Sequence, residues 1–159
     1  MFVPVAIVAL CAGVAAASER AFSVVFDHYE AIREALIENS TDAVSTHAKA
    51  IADEVSKLAA GFDAESAEVD PSDADAVQAL LPEVRDKAEK LASAVGLAET
   101  REAFSGLTQP LVRWHKLVQG PRPVVVYCPM EKKAWLQPDE AIGNPYAPSM
   151  LRCGEVVQR

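Results

Sequence analysis

Four apolar stripes, each stepping by three and four residues, run between Phe22 and Val118 and limit this chain to a helical fold more firmly than any other feature. The first, Phe22, Val25, Phe26, Tyr29, Ile32, Leu36 and Ile37, predicts a helix over about 18–39. Residues at these spacings share one helix face, so each stripe needs another to pack against. Asn39-Ser40-Thr41-Asp42 offers a stop and a fresh N-cap. Val44, Ala48, Ile51, Val55, Leu58 and Phe62 make a second stripe, with Gly61 as its C-cap. The short connection predicts an antiparallel pair. The acidic, irregular stretch 63–75 is expected to be the longest and most mobile loop. Val77, Leu80, Leu81, Val84, Ala88, Leu91 and Val95 form the third stripe, closed by Gly96; Pro82 either kinks it or opens its main segment. A fourth helix over about 97–119 turns Phe104, Leu107, Leu111, Trp114 and Val118 inward, with a bend at Pro110. The expected class is mainly α, a four-helix up-down bundle.

Gly120-Pro121-Arg122-Pro123 ends the helical part. Val124 to Tyr127 is β-branched and aromatic and suits a short strand, Glu131-Lys132-Lys133 an exposed turn, and Ala134 to Gln137 the returning strand of a hairpin. Prolines at 121, 123, 129, 138, 145 and 148 exclude a fifth long helix. The expected organisation is a bundle over 18–120 with an irregular tail, 121–159, packed on it as one domain; 159 residues suffice for one core.

The first residues, Met1 to Ala17, are almost wholly apolar and end in Ala15-Ala16-Ala17-Ser18, the small-x-small form of a signal-peptide cleavage site. The run is short of the roughly 20 residues that span a bilayer, so the expectation is export to the periplasm with no membrane span after cleavage. Residues up to Gly120 carry 10 Lys and Arg against 19 Asp and Glu, whereas the tail carries 5 against 4. An acidic bundle argues against binding nucleic acid, which calls for a basic face. Its plainest reading is a solvated helical surface, and it also suits cations or a basic partner.

The tail gathers every sulfur left after cleavage: Cys128-Pro129-Met130 and Met150-Leu151-Arg152-Cys153. Soft thiolates and thioethers select Cu(I) and similar ions over Mg, Ca or Mn. On an extended segment Cys128 and Met130 point to one side, and a spacing of three brings Met150 and Cys153 together on a turn. Facing each other, the clusters offer two thiolates and two thioethers. Two lone cysteines in an exported chain equally suit a Cys128 to Cys153 disulfide worth about 3 kcal/mol, with both methionines as core filler. The two states exclude each other. Zinc is a poorer fit, because structural zinc sites need two further His or carboxylate ligands.

Tyr127-Cys128-Pro129-Met130, Trp135-Leu136-Gln137, Ile142 with Asn144-Pro145-Tyr146, and Met150-Leu151 with Cys153-Gly154 resemble the signature of a bacterial domain of unknown function. That domain occurs as small exported proteins and at the carboxyl end of periplasmic adaptor subunits of heavy-metal efflux pumps. Arg101-x-x-Phe104-x-x-Leu107-Thr108 extends the resemblance into the helices. It implies a helical bundle that handles copper or silver, with Cys128, Met130, Met150 and Cys153 as metal ligands and an efflux adaptor or other envelope protein as partner. In this chain Ala147-Pro148-Ser149 follows Asn-Pro-Tyr where the family has an aromatic residue and a glycine.

His115, near the helix end that leads into the tail, is an auxiliary ligand candidate, while His28 and His47 flank stripes on other helices and read as structural. Trp135 and Tyr146 either shield an ion or anchor the tail, and Asn144 reads as a turn former. A paired nucleophile and base, paired carboxylates or a phosphate loop would mark an enzyme, and the sequence suggests none of them. A thiol oxidoreductase would carry Cys-x-x-Cys. The expected function is therefore binding, with a disulfide-stapled interaction module as the alternative.

Overall fold

A computed structural model describes residues 20–159. The signal-peptide reading of Met1 to Ala17 lies outside the described residues. Four helices, α1 (Ala21–Ile37), α2 (Val44–Ala60), α3 (Ala74–Ala92) and α4 (Gly96–His115), precede the strands β1 (Val124–Cys128), β2 (Lys133–Gln137) and β3 (Glu155–Gln158). The expected up-down bundle forms. Phe22, near the start of α1, meets Trp114 near the end of α4 edge to face, with ring centroids 5.3 Å apart. Tyr29 stacks on Phe104 at 4.5 Å in mid-helix. At the other end, Arg101 of α4 donates to the Leu36 carbonyl of α1. The order of these contacts makes the two helices antiparallel. The predicted stripes supply the core: Val25, Ile32, Leu36, Ala48, Ile51, Val77, Val84, Ala88, Phe104 and Leu107 are wholly or almost wholly buried.

Three local expectations differ. Asp42 does not cap α2; Ser40 Oγ accepts the Asp42 amide instead, and the cap is Ala43 in the left-handed conformation, with no side-chain bond. The third helix stops at Ala92, because Leu91 is its last buried position and Val95 is exposed; Gly96, expected to close α3, opens α4. The acidic stretch before α3 is tied down rather than loose. Ala67 and Val69 are buried, Val69 pairs with Val118 across an isolated bridge, and the Ala67 carbonyl accepts the Trp114 indole N–H at 3.1 Å. The Glu68 carboxylate accepts both the amide and the hydroxyl of Ser23, closing the first turn of α1. Pro82 and Pro110 both lie inside their helices.

The hairpin forms as expected, with Val126 opposite Trp135. A third strand was not expected. It pairs antiparallel with β1 in the order β2-β1-β3, across an irregularity between Val125 and Val126. Glu155-Val156-Val157-Gln158 is too short for its alternation to mark a strand by itself. The sheet lies over α1 and α4. The Leu136 amide donates to the buried Tyr29 hydroxyl at 3.3 Å, and that hydroxyl pairs with Thr108 Oγ1 at 2.7 Å.

Candidate functional site

Strand β1 ends at Cys128, and the turn Pro129 to Lys132 sends the chain back into β2 with Lys132 in the left-handed region. Cys153 arrives from the far side of the tail, one glycine ahead of β3, whose Glu155 pairs with Tyr127. Because β1 is the central strand, the two cysteines meet at one end of the sheet. Both are free, and their Sγ atoms stand 2.6 Å apart although 25 residues separate them in sequence. Cys128 is buried and Cys153 half-buried.

The segment carrying Cys153 is held by Asn144, which is fully buried. Its amide donates to the Leu151 carbonyl, its Oδ1 accepts the Tyr146 amide, and its Nδ2 donates to the Cys153 carbonyl at 3.1 Å. The turn-forming bond is the one expected of an asparagine; the bond to Cys153 reaches across the loop and has no local sequence signal. Gly154 lets the chain pass under the indole. A Cβ there would sit 2.7 Å from Trp135 Cη2 and 2.8 Å from Val126 Cγ1. Trp135 donates its indole N–H to Gln137 Oε1, and Tyr146 donates its hydroxyl to the Ala134 carbonyl. Of the two roles open to these aromatics, anchoring the tail is the one this packing serves.

Two arginines buckle the tail to the bundle. Arg33 donates to the Gly143 carbonyl and to both oxygens of Glu30, and Arg101 donates to the carbonyls of Pro145 and Leu36 and to Asn39 Oδ1. Arg33 was legible only as a charge beside Ile32 on a buried face. Gly143 sits so close that a Cβ would lie 2.7 Å from the Arg33 guanidinium.

The electrostatics divide the sulfurs. Burial alone pushes the Cys128 thiol up, but the hydrogen bond with Cys153 and the amides of Glu131 and Met130 outweigh it and hold it below the usual thiol range. The same sulfur contact raises Cys153, with burial adding to it. The pair is therefore asymmetric, with Cys128 the more acidic sulfur. The Met130 amide lies against both sulfurs, and the Met150 carbonyl accepts the Cys153 amide at 2.8 Å. Backbone bonds therefore place both methionines beside the cysteines. Met130 is 71 % exposed and Met150 half-buried.

His115 does not join this group. Its Nε2–H donates to the Pro123 carbonyl at 2.6 Å, just before β1, whereas Cys128 ends β1. Five residues of strand separate them by about 16 Å. Burial keeps its imidazole below the usual histidine range, with Arg122 and Lys116 adding to the effect against the Pro123 bond, and its Nδ1 has no partner. As an auxiliary ligand for the sulfurs it is excluded by position.

The family model described as "Protein of unknown function (DUF3347)" matches residues 25–121, more than half of the chain. The chain belongs to that family. The match spans all but the first turn of the DUF3347 bundle and ends at Pro121, before the first cysteine of the tail. No curated protein and no solved structure matches the chain. Among the described residues no three His, Cys, Asp or Glu side chains gather as a metal cluster, and no helix is long and apolar enough to cross a membrane.

Proposed function

We propose that this DUF3347 protein binds a soft monovalent metal ion, Cu(I) or Ag(I), outside the cytoplasm, through Cys128 and Cys153 with the thioethers of Met130 and Met150 beside them. The reading rests on the convergence of Cys128 and Cys153 at one end of the sheet. The Cys128 thiol, held below its usual range by the Cys153 sulfur and then by the Glu131 and Met130 amides, is the more readily ionised donor for a soft cation, and the two methionines add neutral donors of the same softness. The donor chemistry fits such an ion; the spacing fits it after a small opening. Sulfurs bound at about 2.3 Å to one ion stand about 4 Å apart, so the pair at 2.6 Å must part. Cys153 lies on a half-buried turn that can give, whereas Cys128 ends the central strand. The role is to buffer or deliver the ion, with an efflux adaptor or other envelope protein as recipient, and it requires no catalysis.

A second reading is favoured by the same separation. At 2.6 Å the sulfurs are poised for a disulfide, whose bond is about 2.05 Å, and an oxidised chain would be a stapled interaction module that holds no metal. An anaerobic Cu(I) titration of the reduced chain against a colorimetric chelator separates the two, run beside Cys128→Ser and Cys153→Ser. The metal reading expects one ion per chain and loss of competition in both variants. No competition by the reduced chain, with a Cys128 to Cys153 disulfide in protein taken from its native compartment, would refute it in favour of the module.

A further inference from the structure

His28 of α1 and His47 of α2, which read as structural in the sequence, face each other with their Nδ1 atoms 3.0 Å apart and their ring centroids 5.3 Å apart. Both are half-buried on the acidic bundle, so one side of the pair is open to solvent. Of the chain's three histidines only His115 remains, and it is buried with one nitrogen occupied. As they stand, one Nδ1–H donates to the other ring's Nδ1, so two good metal donors hold a proton between them.

From this arrangement we infer that His28 and His47 chelate a divalent cation, Cu(II) before Ni(II), at a site separate from the sulfurs. The distance selects the geometry. Two imidazole nitrogens bound at about 2.0–2.1 Å stand about 2.9 Å apart at a right angle and about 3.3 Å apart in a tetrahedron. The observed 3.0 Å matches the right angle. Adjacent ligands at a right angle belong to tetragonal Cu(II) and Ni(II), and Cu(II) binds nitrogen donors more tightly. The rings now point almost head to head. Chelation swings each Nδ1 axis by about 45° toward the ion and closes the centroids to about 4.5 Å, a reorientation taken up largely about χ2, which is broad for histidine. The bridging proton shifts to Nε2 of its own ring, leaving both Nδ1 lone pairs on the metal with no net proton released. Water fills the remaining positions on the open side. Because α1 and α2 each give one ligand, the ion would clamp them together.

The test is a Cu(II) titration by calorimetry and electron paramagnetic resonance on the Cys128→Ser/Cys153→Ser chain, which removes both thiols and makes the outcome independent of the Cu(I) reading. One Cu(II) per chain is expected, with hyperfine structure from two equivalent nitrogens and a higher unfolding midpoint in the presence of the ion. His28→Gln and His47→Gln should each weaken binding about a hundredfold, as the second ligand of a chelate is lost. The two-nitrogen signature is read on unsubstituted histidines, so it stands even if a variant folds poorly. Absence of Cu(II) binding, a one-nitrogen spectrum, or unchanged affinity in either His→Gln variant would overturn the site.

Discussion

The bundle and the tail are held together by different means. In the bundle, burial of repeated apolar side chains does most of the work, and many sequences with the same periodicity would serve. In the tail, single polar groups each do one job: Asn144 ties three backbone positions, Gln137 holds the Trp135 indole, and Arg33 and Arg101 clamp the loop to the helices. A fold of the first kind tolerates apolar exchanges that keep the core volume, while one of the second kind breaks at named polar residues. The family match follows the same division, covering the bundle and stopping short of the sulfurs.

The sharpest way to break that contrast is to ask whether the two parts melt separately. Phe104 lies at their junction, stacked on Tyr29 and 6.0 Å from the Tyr146 ring. Phe104→Ala is expected to cost about 3–5 kcal/mol in denaturant unfolding. One transition is expected, with fluorescence from Trp114 in the bundle and Trp135 in the tail changing together. Two separated transitions would make the tail an independent appendage.

Next in size is the sulfur pair. If oxidised, a Cys128 to Cys153 link closes a loop of about 26 residues, and its reduction should lower stability by about 3–4 kcal/mol. Unfolding with and without reductant reads this directly. A loss well under 1 kcal/mol would mean that the tail holds its shape through Asn144 and Trp135 alone.

Arg101→Ala should cost about 2 kcal/mol, because it leaves the Pro145 and Leu36 carbonyls without their charged donor. Hydrogen exchange gives the more telling result. The Asn144, Met150 and Cys153 amides should lose protection while those of α2 and α3 keep theirs, as expected if the arginine clamps the tail without supporting the bundle. Equal loss in both regions would erase the distinction.

How much was legible in the sequence follows the same divide. The four stripes marked the helices because period 3.6 repeats over five turns, so many residues vote for one answer. The hairpin was legible from a β-branched run and a charged turn. The errors fall where a choice is made between near-equal local partners. Ser40 took the Asp42 amide in place of a helix cap, and Val95 found no groove to bury in, so α3 ended early. Cys128 and Cys153 were legible as a pair by chemistry, since no other cysteine follows residue 11. The long-range ties of Asn144, Arg33 and Glu68 were not, because each joins elements that only the fold brings together. The histidines show both failures: His115 looked close to the sulfurs along the chain and lies at the opposite end of β1, while His28 and His47, 19 residues apart, touch.

The smallest expected effect sits at the hinge between the two regions. His115 ends α4 and donates to the Pro123 carbonyl that leads into β1. Burial, helped by Arg122 and Lys116, holds its folded pKa below the ordinary value of 6.5. The native chain therefore binds fewer protons at this position than the unfolded chain. The sign follows from linkage: this contribution is fully present above about pH 6.5 and is lost as pH falls from there toward the folded pKa. Each unit of difference between the two values amounts to about 1.4 kcal/mol. His115→Gln keeps an N–H donor for the Pro123 carbonyl and has nothing to titrate. Denaturant unfolding of both chains at pH 7.5 and 5.5 should show wild type losing ground to the variant at the lower pH. A stability difference that stays constant across that window would mean that His115 is hydrated in the native chain, and the junction between bundle and tail would then be open to water.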